Sequence, residues 1–269
     1  MAIESDKYTL IYHAGIPGRG EFPRLFLEAT ATPYEDTALT VGQDAIKPYL
    51  DGTFEGSDSN PLPFAPPILK HGSVVISQTS NILLYLATHI SSPIDLDAGG
   101  AEGEPASKKA KASALSVDDP SLFHAQELAL TILDLNNEIH DTHHPIAVSA
   151  YYEEYKDEAI KRAGDFRKNR LPKFLKHFED NLQRSSSDYL LSTGPSHADL
   201  ALFQVYDGLL FAFPRLLAKR APEYPKVRGL YERVKAAPRI KAYLDSDRRQ
   251  QYSMGVFRHY PELDEPEEE

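Results

Sequence analysis

The 269-residue chain predicts an α+β fold, a small mixed α/β domain followed by an all-helical one. Three observations carry that prediction. Runs of β-branched and aromatic residues, punctuated by glycine and proline, are confined to the first 90 residues. Residues 91–117 are rich in Gly, Ala, Ser and Lys and show no strong apolar period, the mark of a linker or loose insertion. Beyond them, apolar residues recur at helical spacing almost to the end. The expected divisions are 1–90, a linker at 91–119, a helical domain at 120–260 and an acidic, solvated tail at 261–269.

Residues 8–12, YTLIY, read as a buried strand. The loop HAGIPGRGE comes next, and FPRLFLEAT then reads as a helix. Pro23 fits its first turn, where a missing N–H costs little. A second β segment is expected around 34–40, and 51–66 is loop-like. PILK, HG and SVVIS read as a hairpin. QTSNILLYLATHI continues as a helix, with Ile82, Leu83, Tyr85 and Leu86 at helical spacing. Within 91–117 a marginal helix around KKAKASA is the alternative to linker. The next helix opens on an Asp cap with Pro120 in its first turn and runs to about 142, before Pro145. A long helix over about 150–184 contains Pro172, which predicts a kink. SHADLALFQVYDGLLF is apolar nearly all round, so it is the expected central helix of this half. Two amphipathic helices, about 223–236 and 238–247, complete the plan.

Composition excludes several functions. A net charge of −11 opposes binding to a phosphate backbone, which draws on clustered Lys and Arg. With no cysteine, there is no disulfide, no Cys-zinc site and no protein thiol chemistry. The start has no basic region followed by an apolar one, so it does not read as a secretory signal. No apolar run reaches the roughly 18–20 residues a membrane span needs. The expectation is a soluble cytoplasmic protein with neither a nucleic-acid nor a membrane partner.

Four stretches draw attention. In SHAD, Ser196 caps a helix and Asp199 reaches back from its third position, a capping box with Asp in place of Glu and a structural role. APPILKHGSVVISQTSNIL places Gln78 and Thr79 at a helix N-terminus, where free N–H groups and a positive dipole suit an anion. In LIYHAGIPGRGE, Tyr12 is either a core aromatic or a site group, and the glycines after it let a ligand approach closely. HDTHHPI holds three histidines and an aspartate, and the spacing of His140 and His144 puts both on one helix face. Zinc needs three or four ligands, and the HExxH signature is absent. Metal site, helix-end cations and pocket wall stay open for these histidines.

The element order and the first three of these motifs resemble the glutathione S-transferases over nearly the whole chain, apart from 91–117 and the tail. The resemblance implies a thioredoxin-like N-terminal domain that binds glutathione and an all-α C-terminal domain that supplies a second-substrate pocket. LIYHAGIPGRGE is similar to the loop of the tyrosine-type classes (alpha, mu, pi and sigma-like), with one residue more. Tyr12 then matches the catalytic tyrosine and Arg19 the assisting arginine. Pro67 matches the proline that is cis in the family, and Gln78 and Thr79 match its Gln-Ser pair, with Thr replacing Ser. Lys47 is the candidate for the glycine carboxylate, or else a solvated surface lysine. Two departures stand out. Pro66, where the family pairs with the cysteinyl backbone of glutathione, has no N–H, and Ala65 replaces a side-chain amide.

The resemblance also implies a detoxifying transferase, a homodimer, that uses glutathione as co-substrate and takes a hydrophobic electrophile. No metal is expected. His13, Ile16, His140 and His144 would line the second-substrate pocket. The alternatives are a catalytically weak or inactive binding or scaffold protein, favoured by Pro66, Ala65 and the 91–117 insertion, and a metal-dependent enzyme centred on 140–144.

Overall fold

The computed structural model describes residues 7–96 and 117–265. The chain forms two compact units. One comprises residues 1–126 with 236–251, the other 127–235 with 252–269. The sequence divisions at 90 and 120 follow the change of secondary structure. The units instead divide inside one helix and return 236–251 to the first unit. Most of the expected 91–119 linker lies outside the described residues, as does the alternative helix around KKAKASA.

In the first unit, strands β1 (Tyr8–Ile11), β2 (Tyr34–Asp36), β3 (Ile68–His71) and β4 (Val74–Ser77) form one sheet in the order β2-β1-β3-β4. β1 runs parallel to β2 and antiparallel to β3, which pairs antiparallel with β4. Helix α1 (Glu21–Ala29) makes the crossover between the parallel strands. The expected strand over 34–40 stops at Asp36, because its carboxylate caps the short helix α2 (Thr37–Thr40) by accepting the Ala38 N–H at 3.1 Å. A 3-10 turn, Gly42–Ile46, and helix α3 (Lys47–Leu50) come next. Ile46 from that turn packs with Ile11, Ile68 and Val75 on one face of the sheet. By strand alternation, Leu10 and Leu69 face the opposite side. Helix α4 (Thr79–His89) packs against α1.

Helix α5 (Pro120–Asp141) starts as expected. Asp119 accepts the Ser121 N–H at 2.9 Å, and Pro120 is the first helical residue. Helices α6 (Lys156–Asp165) and α7 (Leu171–Arg184) replace the single long helix. Between them, Phe166–Arg170 forms a π turn, closed by the Leu171 N–H onto the Phe166 carbonyl. Pro172 has no N–H to give the preceding turn, and the wide turn absorbs that break. Helix α8 (His197–Ala212) is buried on almost every face, as its composition predicted. The sequence reading missed helix α9 (Pro214–Arg220), placed α10 (Pro225–Ala236) well and overran α11 (Pro238–Leu244) by three residues. No single helix among the described residues is long and apolar enough to cross a membrane.

Helix N-termini in the second unit are closed by buried carboxylates. Glu179 of α7 accepts the Lys226 N–H at 3.0 and 3.1 Å and the Val227 N–H at 3.0 Å, at the start of α10. Asp264 does the same for α9, accepting Arg215 and Leu216 N–H groups at 2.9 and 3.0 Å. This corrects the reading of 261–269 as a solvated tail. Leu263 and Asp264 are buried, and only 266–269 lie outside the described residues. The acidic composition hid the role of one carboxylate whose partners are backbone N–H groups.

The capping box of α8 forms as written. Asp199 Oδ2 accepts the Ser196 N–H and the Ser196 hydroxyl, both at 2.8 Å. Its Oδ1 takes the Leu190 N–H, also at 2.8 Å. Burial raises the carboxyl pKa to about 6, while these donors pull it back toward ionisation. Asp199→Ala leaves two buried N–H groups without an acceptor, and a stability loss of about 3 kcal/mol is expected. Chemical denaturation measures it; an unchanged midpoint would show that the box is dispensable.

Candidate functional site

Strand register collects the predicted first-unit residues at one end of the sheet. Ile11 pairs with Ile68, and Ile68 with Ser77. Tyr12 therefore leaves the sheet where Pro66–Pro67 enters it and where Gln78–Thr79 leaves it. β2 ends there as well, since Leu10 pairs with Asp36.

Tyr12 is buried, and its ring lies against two glycines. A Cβ on Gly18 would sit 2.4 Å from the Tyr12 hydroxyl, and one on Gly20 would sit 2.5 Å from its Cγ. Gly18 also holds φ at +47°. These glycines make room for the chain's own tyrosine, which corrects the expectation that they admit a ligand. The phenol oxygen accepts the Arg19 N–H at 2.8 Å, with the Gly20 N–H also directed to it. No acceptor for the phenol proton is found among the described residues, so that proton is available to an incoming anion. Burial pushes the phenol pKa up, and the N–H groups and the charges of Arg19 and Arg24 pull the other way. At neutral pH the group is therefore a neutral phenol polarised by N–H groups, a hydrogen-bond donor and not a base.

A buried ion network underlies this loop, and the sequence reading missed it. Arg24 is fully buried. Its Nε bonds Asp36 at 2.6 Å, and its Nη1 reaches the Pro17 carbonyl at 3.2 Å and Glu21 at 3.3 Å. The guanidinium carbon lies 5.8 Å from the Tyr12 ring centroid. Glu21 in turn accepts the Tyr243 hydroxyl at 2.8 Å and pairs with Arg249 at 2.7 Å. One guanidinium thus ties the Tyr12 loop to the end of β2 through Pro17 and Asp36.

The other predicted residues take varied positions. The Pro66–Pro67 bond is cis. Thr79 is buried at the first position of α4, and Gln78 before it is exposed, with φ +72° and ψ +119°. That backbone is strained for a residue with a Cβ, by on the order of 1–3 kcal/mol, and such strain concentrates at binding sites. Ile16 is half-buried in the loop beyond Tyr12. Lys47 is exposed, and its ammonium pairs with Asp44 at 2.6 Å.

The histidine cluster lies in the second unit. Helix α5 ends at Asp141, so His144 lies beyond it and not on a helix face. A turn brings it back, and its ring stacks on His140 with centroids 4.7 Å apart. His143, which the sequence reading passed over, is the buried member. Its Nε2 donates to the Val256 carbonyl at 3.0 Å, and burial lowers its pKa to about 3. His144 faces the Ala150 carbonyl at 3.1 Å, and burial lowers its pKa as well. Among the described residues no group of three or more His, Cys, Asp or Glu is placed to hold a metal ion. A groove of about 520 Å³ in the second unit, lined by Asp134, Glu138, Arg170 and Lys173, contains none of the predicted site residues. Its arginine is already engaged by Glu138 through two nitrogens, at 2.5 to 3.0 Å.

Known proteins agree with this architecture. A model of the glutathione S-transferase C-terminal domain family matches residues 140–247. A glutathione S-transferase of Plasmodium yoelii yoelii is 22% identical over 228 residues, covering 84% of this chain and 88% of that protein. A mu-class 26 kDa glutathione S-transferase isozyme of Fasciola hepatica is 31% identical over 85 residues, 32% of this chain and 36% of that one. The solved structure of a Pi-class glutathione S-transferase from Onchocerca volvulus superposes with a TM-score of 0.60 at 22% identity, covering 89% of this chain and 92% of that one. The structure of NaGST-2 gives 0.58 at 19%, over 90% and 97%. The fold is that of the glutathione S-transferases, a thioredoxin-like sheet domain followed by helices. Over residues 140–247 the chain matches that C-terminal domain family, and over most of its length it is similar to glutathione S-transferases at low identity.

The packing of Tyr12 yields a direct test. Gly18→Ala forces a methyl into the space of the hydroxyl and should displace it from the Arg19 N–H. The Tyr12 phenol should then titrate differently in an ultraviolet pH titration, with a melting temperature shift of only a few degrees. A wild-type titration curve in that variant would contradict the packing described.

Proposed function

We propose that the chain is a tyrosine-type glutathione transferase, which joins the sulfur of glutathione to an electrophilic carbon of a hydrophobic small molecule. The observation that carries this reading is the Tyr12 hydroxyl, buried, neutral and polarised by the Arg19 N–H, with its own proton free to donate. A free thiol ionises at about 8.5, and only the thiolate is a strong nucleophile. A phenol that donates to sulfur favours the anion, and the charges of Arg19 and Arg24 add to the same field. Each pKa unit gained for the thiolate corresponds to about 1.4 kcal/mol.

The rest of the tripeptide would follow the sheet end. The N-terminus of α4 at Gln78 and Thr79 suits the γ-glutamyl carboxylate. The Pro66 carbonyl would accept the cysteinyl N–H, but Pro66 donates nothing in return. Lys47 would have to leave Asp44 to reach the glycine carboxylate. His13 and Ile16, in the loop beyond Tyr12, would line the second-substrate pocket, and His140 and His144 would take no part in activating sulfur. A cytoplasmic homodimer acting in detoxification belongs to this proposal. The missing Pro66 donor favours a second reading, a glutathione-transferase-like binding protein with weak or no catalysis.

Tyr12→Phe discriminates between them. Loss of one hydrogen bond to a charged sulfur, about 1.5–3 kcal/mol, should lower kcat/KM with a reactive electrophile about ten- to hundredfold. The pH dependence of turnover should move to higher pH in the same variant. Steady-state kinetics over a pH series reads both effects. Turnover unchanged in Tyr12→Phe would contradict the role given to the phenol, and turnover absent in the wild type despite glutathione binding would favour the binding protein.

A further inference from the structure

Gln43, on the turn after α2, touches the Tyr12 loop at two points. Its Oε1 accepts the Ala14 backbone N–H at 3.2 Å, and its Nε2 lies 3.1 Å from His13 Nδ1. A backbone N–H only donates, so the amide oxygen must face Ala14 and the NH2 must face His13. An NH2 only donates as well, so His13 Nδ1 must be the unprotonated nitrogen. The single ring proton of the neutral imidazole is then on Nε2. Half-burial of His13 favours the neutral ring, lowering its pKa from 6.5. The ring stands edge-on to Tyr12, with centroids 5.2 Å apart and planes at 87°. Phenol and imidazole thus form a pair of neutral donors side by side.

We propose that Gln43 is a positioning residue that holds His13 as an Nε2–H donor beside Tyr12 and thereby tunes the site to electrophiles whose reacting carbon is conjugated to an oxygen acceptor, such as α,β-unsaturated carbonyls. The inference rests on the thiol-transfer reading. In the step, the thiolate sulfur forms a bond to the β-carbon, and the alkene π pair moves toward oxygen to give an enolate. The enolate oxygen accepts a hydrogen bond from His13 Nε2–H, where its charge is greatest. Solvent delivers a proton to the α-carbon, and the proton lost on thiol ionisation has gone to solvent, so thiol and enone add to give a thioether with nothing left over. The opposite tautomer would present a lone pair from Nε2 to that oxygen.

The test uses the full chain with nitrogen-15-labelled histidine, at mildly alkaline pH, and the variant Gln43→Glu. A carboxylate at that position keeps one oxygen for the Ala14 N–H and offers the other as an acceptor to His13, moving the ring proton to Nδ1. The wild type should show a pyridine-type Nδ1 and a pyrrole-type Nε2, and the variant the reverse. The ratio of kcat/KM for an enone to that for an alkyl halide should fall about tenfold in the variant, the worth of one hydrogen bond. A wild-type proton on Nδ1, or a tautomer flip that leaves the ratio unchanged, would overturn the proposal. The expected tautomers with no turnover of either electrophile would overturn the thiol-transfer reading, and the substrate preference with it.

Discussion

A tyrosine ring set against two glycines, with a backbone N–H directed at its oxygen, is the constraint around which the first unit is arranged. Residues 18 and 20 have no room for a Cβ, and Gly18 takes a backbone conformation that side chains disfavour. The turn must then be held from behind. Arg24 holds it, spanning Pro17, Glu21 and Asp36 from a position with no access to solvent. A guanidinium there is tolerable only because two carboxylates and a carbonyl meet it, and its charge is felt at the Tyr12 ring. Sequence, packing and electrostatics thus converge on one hydroxyl whose proton is free to donate.

The second unit handles buried charge in a related way. Buried carboxylates at Asp199, Glu179 and Asp264 each meet backbone N–H groups at a helix start. The donors satisfy the charge, and the charge satisfies donors that a helix leaves orphaned. The segment after Gln251 belongs to this unit through such contacts. Phe257 fills the space over Gly208, Tyr152 stacks on Tyr260 at 3.8 Å, and Val256 receives His143.

Much of this was legible in the sequence, and the failures have physical causes. Strands β1, β3 and β4 and the capping box of α8 announced themselves through local rules. Tyr12 stood out by its place between a strand and a glycine-rich loop. The strand expected at 34–40 failed because Asp36 turned from strand residue into helix cap. Glu21, Arg24 and Asp36 went unread because charged residues ordinarily mean surface, and only tertiary packing closes the network around them. Gly18 and Gly20 were seen but given the wrong tenant, since a sequence cannot say which side chain fills a gap. In HDTHHPI the spacing drew attention to His140 and His144, while the buried His143 depends on a carbonyl 113 residues later.

The central claim is that the buried phenol of Tyr12 stabilises a sulfur anion. The most direct measurement is a pH titration of the thiolate absorbance of glutathione bound to the wild-type chain. A bound thiol that ionises clearly below about 8.5, its free value, is the predicted result. Bound glutathione that ionises at or above that value would contradict the account, whatever the affinity.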